Sequence, residues 1–283
     1  MVQAEDYGRY ETAWCPGCGN FALLEAVKEG LARADLAPHQ VLFVSGIGQA
    51  AKAPHYLNAN VFNGLHGRSL PAATGARLAN AELKILVQSG DGCNYGEGGN
   101  HLLAAIRRNV DVTMLVHNNL VYGLTKGQAS PTSESGFATK AQPHGPTAEP
   151  FNPLAAAVAM GASFVARGFV GEGEHLAELI KQAVGWRGFS LVDILQPCVS
   201  FNKLNTHAWF KKRCYKLSED YDPTVREAAL EKAYEWGDRI PLGVIYRRER
   251  EAFENKFPAT AAGPLGVQPV DSEAFARILE KYY

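Results

Sequence analysis

Three groups of residues in this chain could do chemistry, and their spacing narrows which kind. Asp91 stands between Gly90 and Gly92, and Asn118-Asn119 follows further along. A carboxylate and a side-chain amide are hard oxygen donors. They suit Mg²⁺, which keeps other coordination positions for water and substrate phosphates. The flanking glycines would let backbone approach a diphosphate, and a helix starting near Gly98 would offer N–H groups and the positive end of its dipole. The second group is Cys15-Pro16-Gly17-Cys18. Two thiolates so spaced on a turn can hold a zinc ion, an iron–sulfur cluster or a redox disulfide. No strand pattern precedes Cys15, as a thioredoxin-type site would need, so metal or cluster is the better reading. The third group is scattered: Lys52 near Gly46-Ile47-Gly48-Gln49, His66 and Arg68 flanking Gly67, and Lys126 with Gln128. Lys52 could hold a substrate carboxylate. A solvated lysine and a capping turn are the plainer alternatives.

These residues need elements to position them. The apolar runs Leu83–Val87 and Val112–Val116 bracket a helical segment, 102–108, with a cationic last turn. Strand, Gly-rich turn, helix and strand make a βαβ unit with a right-handed crossover. Ligands in such folds lie outside the carboxyl ends of the strands, where Asp91 and Asn118-Asn119 fall. Val41–Ser45 is a buried strand whose exit loop, Gly46-Ile47-Gly48-Gln49, should reach the same edge. Phe189–Leu195 is the last core strand and ends at Gln196-Pro197-Cys198, which brings Cys198 to that edge too. Helices are expected from Phe21, from the stretch Gly64 to Gly75 that opens another, over 154–160, over 174–184 and over 224–236, with a further strand at 163–166. Residues 122–149 lack periodicity and are rich in Gly, Ser, Thr and Pro, which marks a functional or mobile loop. Residues 1–200 read as one α/β domain with a mostly parallel sheet flanked by helices on both faces. Residues 201–283 read as an irregular C-terminal tail that contacts another subunit.

Length and composition set limits. A chain of 283 residues suffices for one large α/β domain or two small ones. A net charge of −1 gives no field that would draw nucleic acid or an anionic membrane. No apolar run approaches the roughly 20 residues needed to span a bilayer. The acidic start, Met1 to Asp6, has no signal-peptide character, so a cytoplasmic protein is expected. Five cysteines in a large chain argue for metal or redox chemistry over a disulfide framework.

The spacing of Gly90-Asp91-Gly92 and Asn119 resembles the thiamine-diphosphate motif. That resemblance implies a Mg²⁺ held by Asp91, the Asn119 side chain and the Val121 carbonyl. In order, Trp14-Cys15-Pro16-Gly17-Cys18-Gly19, Ser45-Gly46-Ile47-Gly48, His66-Gly67-Arg68, Gly90-Asp91-Gly92, Gly98-Gly99-Asn100-His101, Tyr122 to Gln128 and Gln196-Pro197-Cys198 together resemble the β subunit of 2-oxoacid:ferredoxin oxidoreductases. Thr125 to Thr132 and Glu235 to Pro241 look most like the 2-oxoglutarate branch. The resemblance implies a thiamine-diphosphate-binding fold of the PP type. Gly46, Ile47, Gly48, His66, Gly90, Asp91, Gly92, Cys93, Asn94, Asn119, Val121, Gly123, Leu124 and Thr125 would lie about the cofactor. Lys52, His66, Arg68 and Lys126 would be the catalytic candidates. The reaction implied converts a 2-oxoacid and coenzyme A to acyl-CoA and carbon dioxide, or the reverse, with electrons passing through a [4Fe–4S] cluster to ferredoxin. An α subunit would supply the pyrimidine-binding domain, in an α₂β₂ assembly. The family's cluster takes four cysteines, yet Gln49 occupies the third position. Cys15, Cys18 and Cys198 remain, and Cys93 is expected to replace the missing thiolate, ahead of a site completed by Gln49. Rival readings are a non-redox thiamine-diphosphate decarboxylase or synthase with a structural zinc, a pyruvate-specific member, a non-catalytic assembly subunit and a zinc-binding interaction module.

Overall fold

The strand-forming runs of Val, Ile, Leu and Phe assemble into one eight-stranded sheet in a computed structural model that describes residues 1–283. The strands are β1 (Val41–Ser45), β2 (Asn60–Asn63), β3 (Lys84–Gly90), β4 (Thr113–Asn118), β5 (Phe164–Phe169), β6 (Ser190–Leu195), β7 (Cys214–Lys216) and β8 (Ile240–Arg247). Their order is β2-β1-β3-β4-β6-β5-β8-β7, and every pair from β2 to β5 is parallel. Strands β4, β5 and β6 are buried throughout because helices cover both faces. On one face α1 (Asn20–Arg33) and α5 (Gly173–Gly185) pack together, burying Leu23, Val27, Leu31, Leu176 and Ile180. On the other, α2 (Ser69–Ala79), α3 (Gly99–Arg108), α4 (Pro153–Ala159) and α7 (Arg226–Tyr234) bury Leu70, Ala73, Leu102, Ile106, Leu154 and Ala229. This is the α/β class expected from the sequence.

Parallel strands point their carboxyl ends the same way. The loops after Ser45, Gly90, Asn118 and Leu195 therefore emerge along one edge. Strand β3 runs straight into a π-helical turn, Gly92–Glu97, before α3 begins. At the far end of α3, Asn109 adopts the left-handed conformation (φ 61°) and caps the helix through its N–H to the Ala105 carbonyl.

Beyond residue 200 the structure departs from the expected irregular tail. Helix α6 (His207–Arg213) leads into β7, and β8 pairs antiparallel with β5, so two strands of the sheet come from this region. Pro241 and Gly243 interrupt the β8 pattern, and the β5–β8 register shifts at Val165/Ala166, which hid the strand. After Arg247 only short elements follow, α8 (Pro258–Ala261) and α9 (Ser272–Leu279) among them. Residues 250–254 are nevertheless pinned to the body. Asn109 donates to the carbonyls of Arg250 and Glu251, Arg250 donates to those of Ile106, Arg107 and Gly161, and Glu254 is buried against Arg77. No helix is long and apolar enough to cross a membrane.

Candidate active site at the strand ends

Asp91 follows the last residue of β3 and is 1% exposed. Its Oδ2 accepts from Ser130 Oγ at 2.6 Å and Thr132 Oγ1 at 2.7 Å. No side chain bonds to Oδ1. Burial pushes the carboxyl up to about 6, against the pull of those two hydroxyls and the Gly92 N–H; nearby Asp193 pushes the same way as burial. A buried carboxylate with a free oxygen and no cationic partner is suited to a divalent ion.

Asn118 and Asn119 divide their work. Asn118 is consumed internally: its amide donates to both Asp193 oxygens at 3.1 and 3.2 Å, and Thr132 Oγ1 lies 2.9 Å from its oxygen. Asn119 faces the cleft. Its Oδ1 accepts only from the Val121 N–H, at 3.1 Å, which leaves one lone pair for a metal. Between them Leu120 is held in the left-handed region (φ 58°), a strained position for a bulky residue, and its carbonyl accepts from Ser133 Oγ at 2.6 Å. That kink turns both Asn119 and Val121 toward the cleft.

One cleft gathers Ile47, Gly48, His66, Gly90, Asp91, Gly92, Cys93, Asn119, Val121, Gly123, Leu124 and Thr125, together with Gln49, Ala50 and Tyr122. Gly92 is required there, because a Cβ would fall 2.2 Å from the Tyr122 ring. Of the residues expected about the cofactor, only Gly46 and Asn94 lie behind the wall; Asn94 is buried and accepts from Ser69 Oγ at 3.2 Å. Among the catalytic candidates only His66 lines the cleft. Its Nδ1 is 3.1 Å from Glu97 Oε2, and the Tyr122 hydroxyl reaches the same oxygen at 3.2 Å. Arg68 is exposed and 3.2 Å from His101 Nε2, Lys126 is exposed in a left-handed turn (φ 74°), and Lys52 stands outside the cleft. No motif or periodicity in the sequence marks Glu97, Ser130 or Thr132 as a site residue. Only the polar richness of the 122–149 loop hinted at the hydroxyls.

A second cavity adjoins the first. Cys15, Cys18 and Cys198 line it, and Gln49, Asn119 and Gly123 belong to both cavities. Burial raises the Cys18 thiol; the neighbouring thiols of Cys198 and Cys15 add to this, while the Asn20 N–H and the Gln196 amide oppose it. Gln196 Nε2 is 3.6 Å from Cys18 Sγ. Three thiols and the Gln49 amide around one pocket make a donor set able to hold a metal ion or a polynuclear cluster.

Cys93 is not part of it. It lines the first cleft, is 2% exposed, and its Sγ accepts from the Gly67 N–H at 3.2 Å. The expectation that Cys93 replaces the missing fourth thiolate is therefore corrected. The π-helical turn aims the side chain back toward Gly46, where an added Cβ would lie 2.4 Å from the sulfur.

Comparison with known proteins gives a consistent picture. A family model described as thiamine pyrophosphate enzyme, C-terminal TPP binding domain, matches residues 39–194, and one for the C terminus of the pyruvate ferredoxin oxidoreductase beta subunit matches residues 198–262. The chain is 43% identical over 277 residues to subunit beta of 2-oxoacid:ferredoxin oxidoreductase 1 from Aeropyrum pernix, covering 92% of this chain and 87% of that one. It is 44% identical over 192 residues to 2-oxoglutarate oxidoreductase subunit KorB of Mycobacterium tuberculosis, covering 68% of this chain and 52% of that one. A solved 2-oxoglutarate:ferredoxin oxidoreductase from Magnetococcus marinus, with 2-oxoglutarate, coenzyme A and succinyl-CoA bound, superposes with a TM-score of 0.90 at 33% identity, covering 98% of this chain and 96% of that chain.

Proposed function

Since the chain belongs to the β subunits of the 2-oxoacid:ferredoxin oxidoreductases, we propose that it binds thiamine diphosphate and Mg²⁺ in the first cleft and a [4Fe–4S] cluster in the cysteine pocket. Its substrate would be 2-oxoglutarate, converted with coenzyme A to the acyl-CoA and carbon dioxide or in reverse. The observation that carries this reading is the shared wall of Gln49, Asn119 and Gly123, which sets a cofactor cleft directly against a three-thiol pocket. A non-redox decarboxylase has no use for that adjacency. The substrate assignment draws support from the Thr125 to Thr132 fragment and from the 2-oxoglutarate names of two similar proteins.

The bound groups would supply a nucleophilic carbon, an electron sink and a one-electron outlet. The chain's own part is positioning. Asp91 Oδ1, Asn119 Oδ1 and the Val121 carbonyl would hold the metal, with Ser130 and Thr132 fixing the carboxylate. His66 lines the cleft with Nδ1 3.1 Å from Glu97 Oε2 but outside hydrogen-bonding geometry, so its ring is placed to exchange a proton with whatever occupies the cleft. Lys52, Arg68 and Lys126 do not line the cleft of this chain, so their proposed roles need the partner in place. Ile47, Leu65 and Leu124 expose apolar surface near the cleft, a face suited to the α subunit. That subunit would contribute the pyrimidine-binding domain, in an α₂β₂ assembly that passes electrons to ferredoxin.

Anaerobic iron and sulfide analysis of the complex, with EPR after dithionite reduction, is the direct test. About four irons and four sulfides per β chain are expected. Bound thiamine diphosphate without iron would overturn the redox assignment. A second expectation concerns pH. Metal must displace any proton on Asp91, whose carboxyl is pushed up to about 6 when no metal is present. The rise in melting temperature given by Mg²⁺ and thiamine diphosphate should be full near pH 7.5 and shrink progressively below about pH 6. A shift that stays constant down to about pH 5 would contradict the Asp91 assignment.

A further inference from the structure

We propose that Gln49 is the fourth protein ligand of the cluster, binding one iron through its amide oxygen. This rests on the reading of the cysteine pocket as a [4Fe–4S] site, and names the donor that the three thiols leave missing.

Four observations lead to it. Gln49 lines the pocket together with Cys15, Cys18 and Cys198. Its Oε1 is shut away from solvent and receives no hydrogen bond. A buried acceptor without a donor is costly, and an iron at the open corner would relieve that cost. The Gln49 backbone is also fixed against the cysteine loop, because Trp14, next to Cys15, donates from Nε1 to the Gln49 carbonyl at 2.8 Å. Lastly, the other candidates are committed elsewhere. Cys93 faces the first cleft. Cys214 begins β7 and interacts with Arg167 and Glu172, outside the pocket. Asn20 Oδ1 lies 2.7 Å from His117 Nδ1, and burial lowers that histidine to about 3, so it stays neutral and donates to Asn20. Gln196 also has a buried oxygen without a partner, but it turns its amide nitrogen to Cys18 Sγ and to the Pro197 carbonyl. It therefore serves as a donor to sulfur, a role that orients and tunes a thiolate.

Replacing a thiolate by a neutral amide oxygen has consequences at that corner. The ligand set carries one negative charge fewer, so the cluster becomes easier to reduce. The oxygen-ligated iron becomes spectroscopically distinct from the other three. It is also the iron most readily lost on oxidation, leaving a three-iron cluster.

The test uses the complex co-expressed with its α subunit, enriched in ⁵⁷Fe and kept anaerobic, with Gln49→Cys, Gln49→Leu and Gln196→Leu alongside. In the wild type one iron in about four should give a separate Mössbauer doublet. Gln49→Cys should merge that doublet with the rest, lower the midpoint potential and slow iron loss on mild oxidation. Gln49→Leu should fall from about four to about three irons per chain and show the three-iron EPR signal as isolated. Gln196→Leu should keep the separate doublet. A Gln49→Leu complex with wild-type iron content and spectrum would overturn the proposal, as would loss of the separate doublet in Gln196→Leu alone. Wild-type complex that binds thiamine diphosphate but holds no iron would instead overturn the pocket's assignment as a cluster site, and the ligand proposal with it.

Discussion

Asp91→Asn is expected to weaken thiamine-diphosphate and Mg²⁺ binding by about 100-fold or more, the upper end of what is lost when a group hydrogen-bonded to a metal ligand is removed and a lower bound for a direct anionic ligand. The expected loss is large because Asp91 is the only carboxylate lining the cleft. The same change should make the ligand-free chain more stable. The folded carboxyl is raised from 3.8 to about 6, so the neutral form is favoured in the fold and stability is lost as pH rises through that range. Asparagine mimics the neutral form and still accepts from Ser130 and Thr132. At neutral pH the gain should be on the order of 1–3 kcal/mol. Calorimetric titration and thermal melts with and without ligand give both numbers. Tight binding retained by Asp91→Asn would show that the metal sits elsewhere.

Arg77→Met carries the largest expected cost to stability. Arg77 donates to Glu254 Oε1 at 2.8 Å, Asp111 Oδ2 at 2.9 Å and the Leu83 carbonyl at 2.9 Å, and all three charged side chains are buried. Lys84 Nζ stands 3.7 Å from Asp111, too far to replace it. Removing the guanidinium would leave two carboxylates facing one another in the interior. Breaking a buried pair costs roughly 3–5 kcal/mol, which for a chain of this size lowers the melting temperature by ~10 °C. Glu254 belongs to the tail, so the segment around it should also become sensitive to protease before the sheet melts. Glu254→Gln, which keeps the shape and one hydrogen bond, should cost less. Equal melting temperatures for Arg77→Met and the wild type would mean that this network contributes nothing.

What the sequence made legible follows the physics of each element. Apolar runs such as Val41–Ser45 and Phe189–Leu195 are found because buried parallel strands must be apolar on both faces. Strand β2, Asn60–Asn63, has every residue exposed and so carries no burial signal at all. The motif residues Asp91 and Asn119 are legible because each sits one residue past a recognisable strand. Ser130 and Thr132 are not, since they reach Asp91 from an aperiodic loop 39 and 41 residues away. Cys93 misled for a similar reason. Its place in the chain brings it to the right edge, but the π-helical turn decides which cavity the sulfur enters, and nothing in the spacing announces a wider turn.

The wall shared by the two cavities has a consequence for how such an enzyme can diversify. Gln49, Asn119 and Gly123 are placed by the ends of β1 and β4 within one chain. The gap they span is thus set during folding and does not depend on how two chains later dock. A partner subunit could be exchanged, or its share of the substrate pocket redrawn, without retuning that gap. Changes confined to the partner's side would leave the spacing inside this chain untouched.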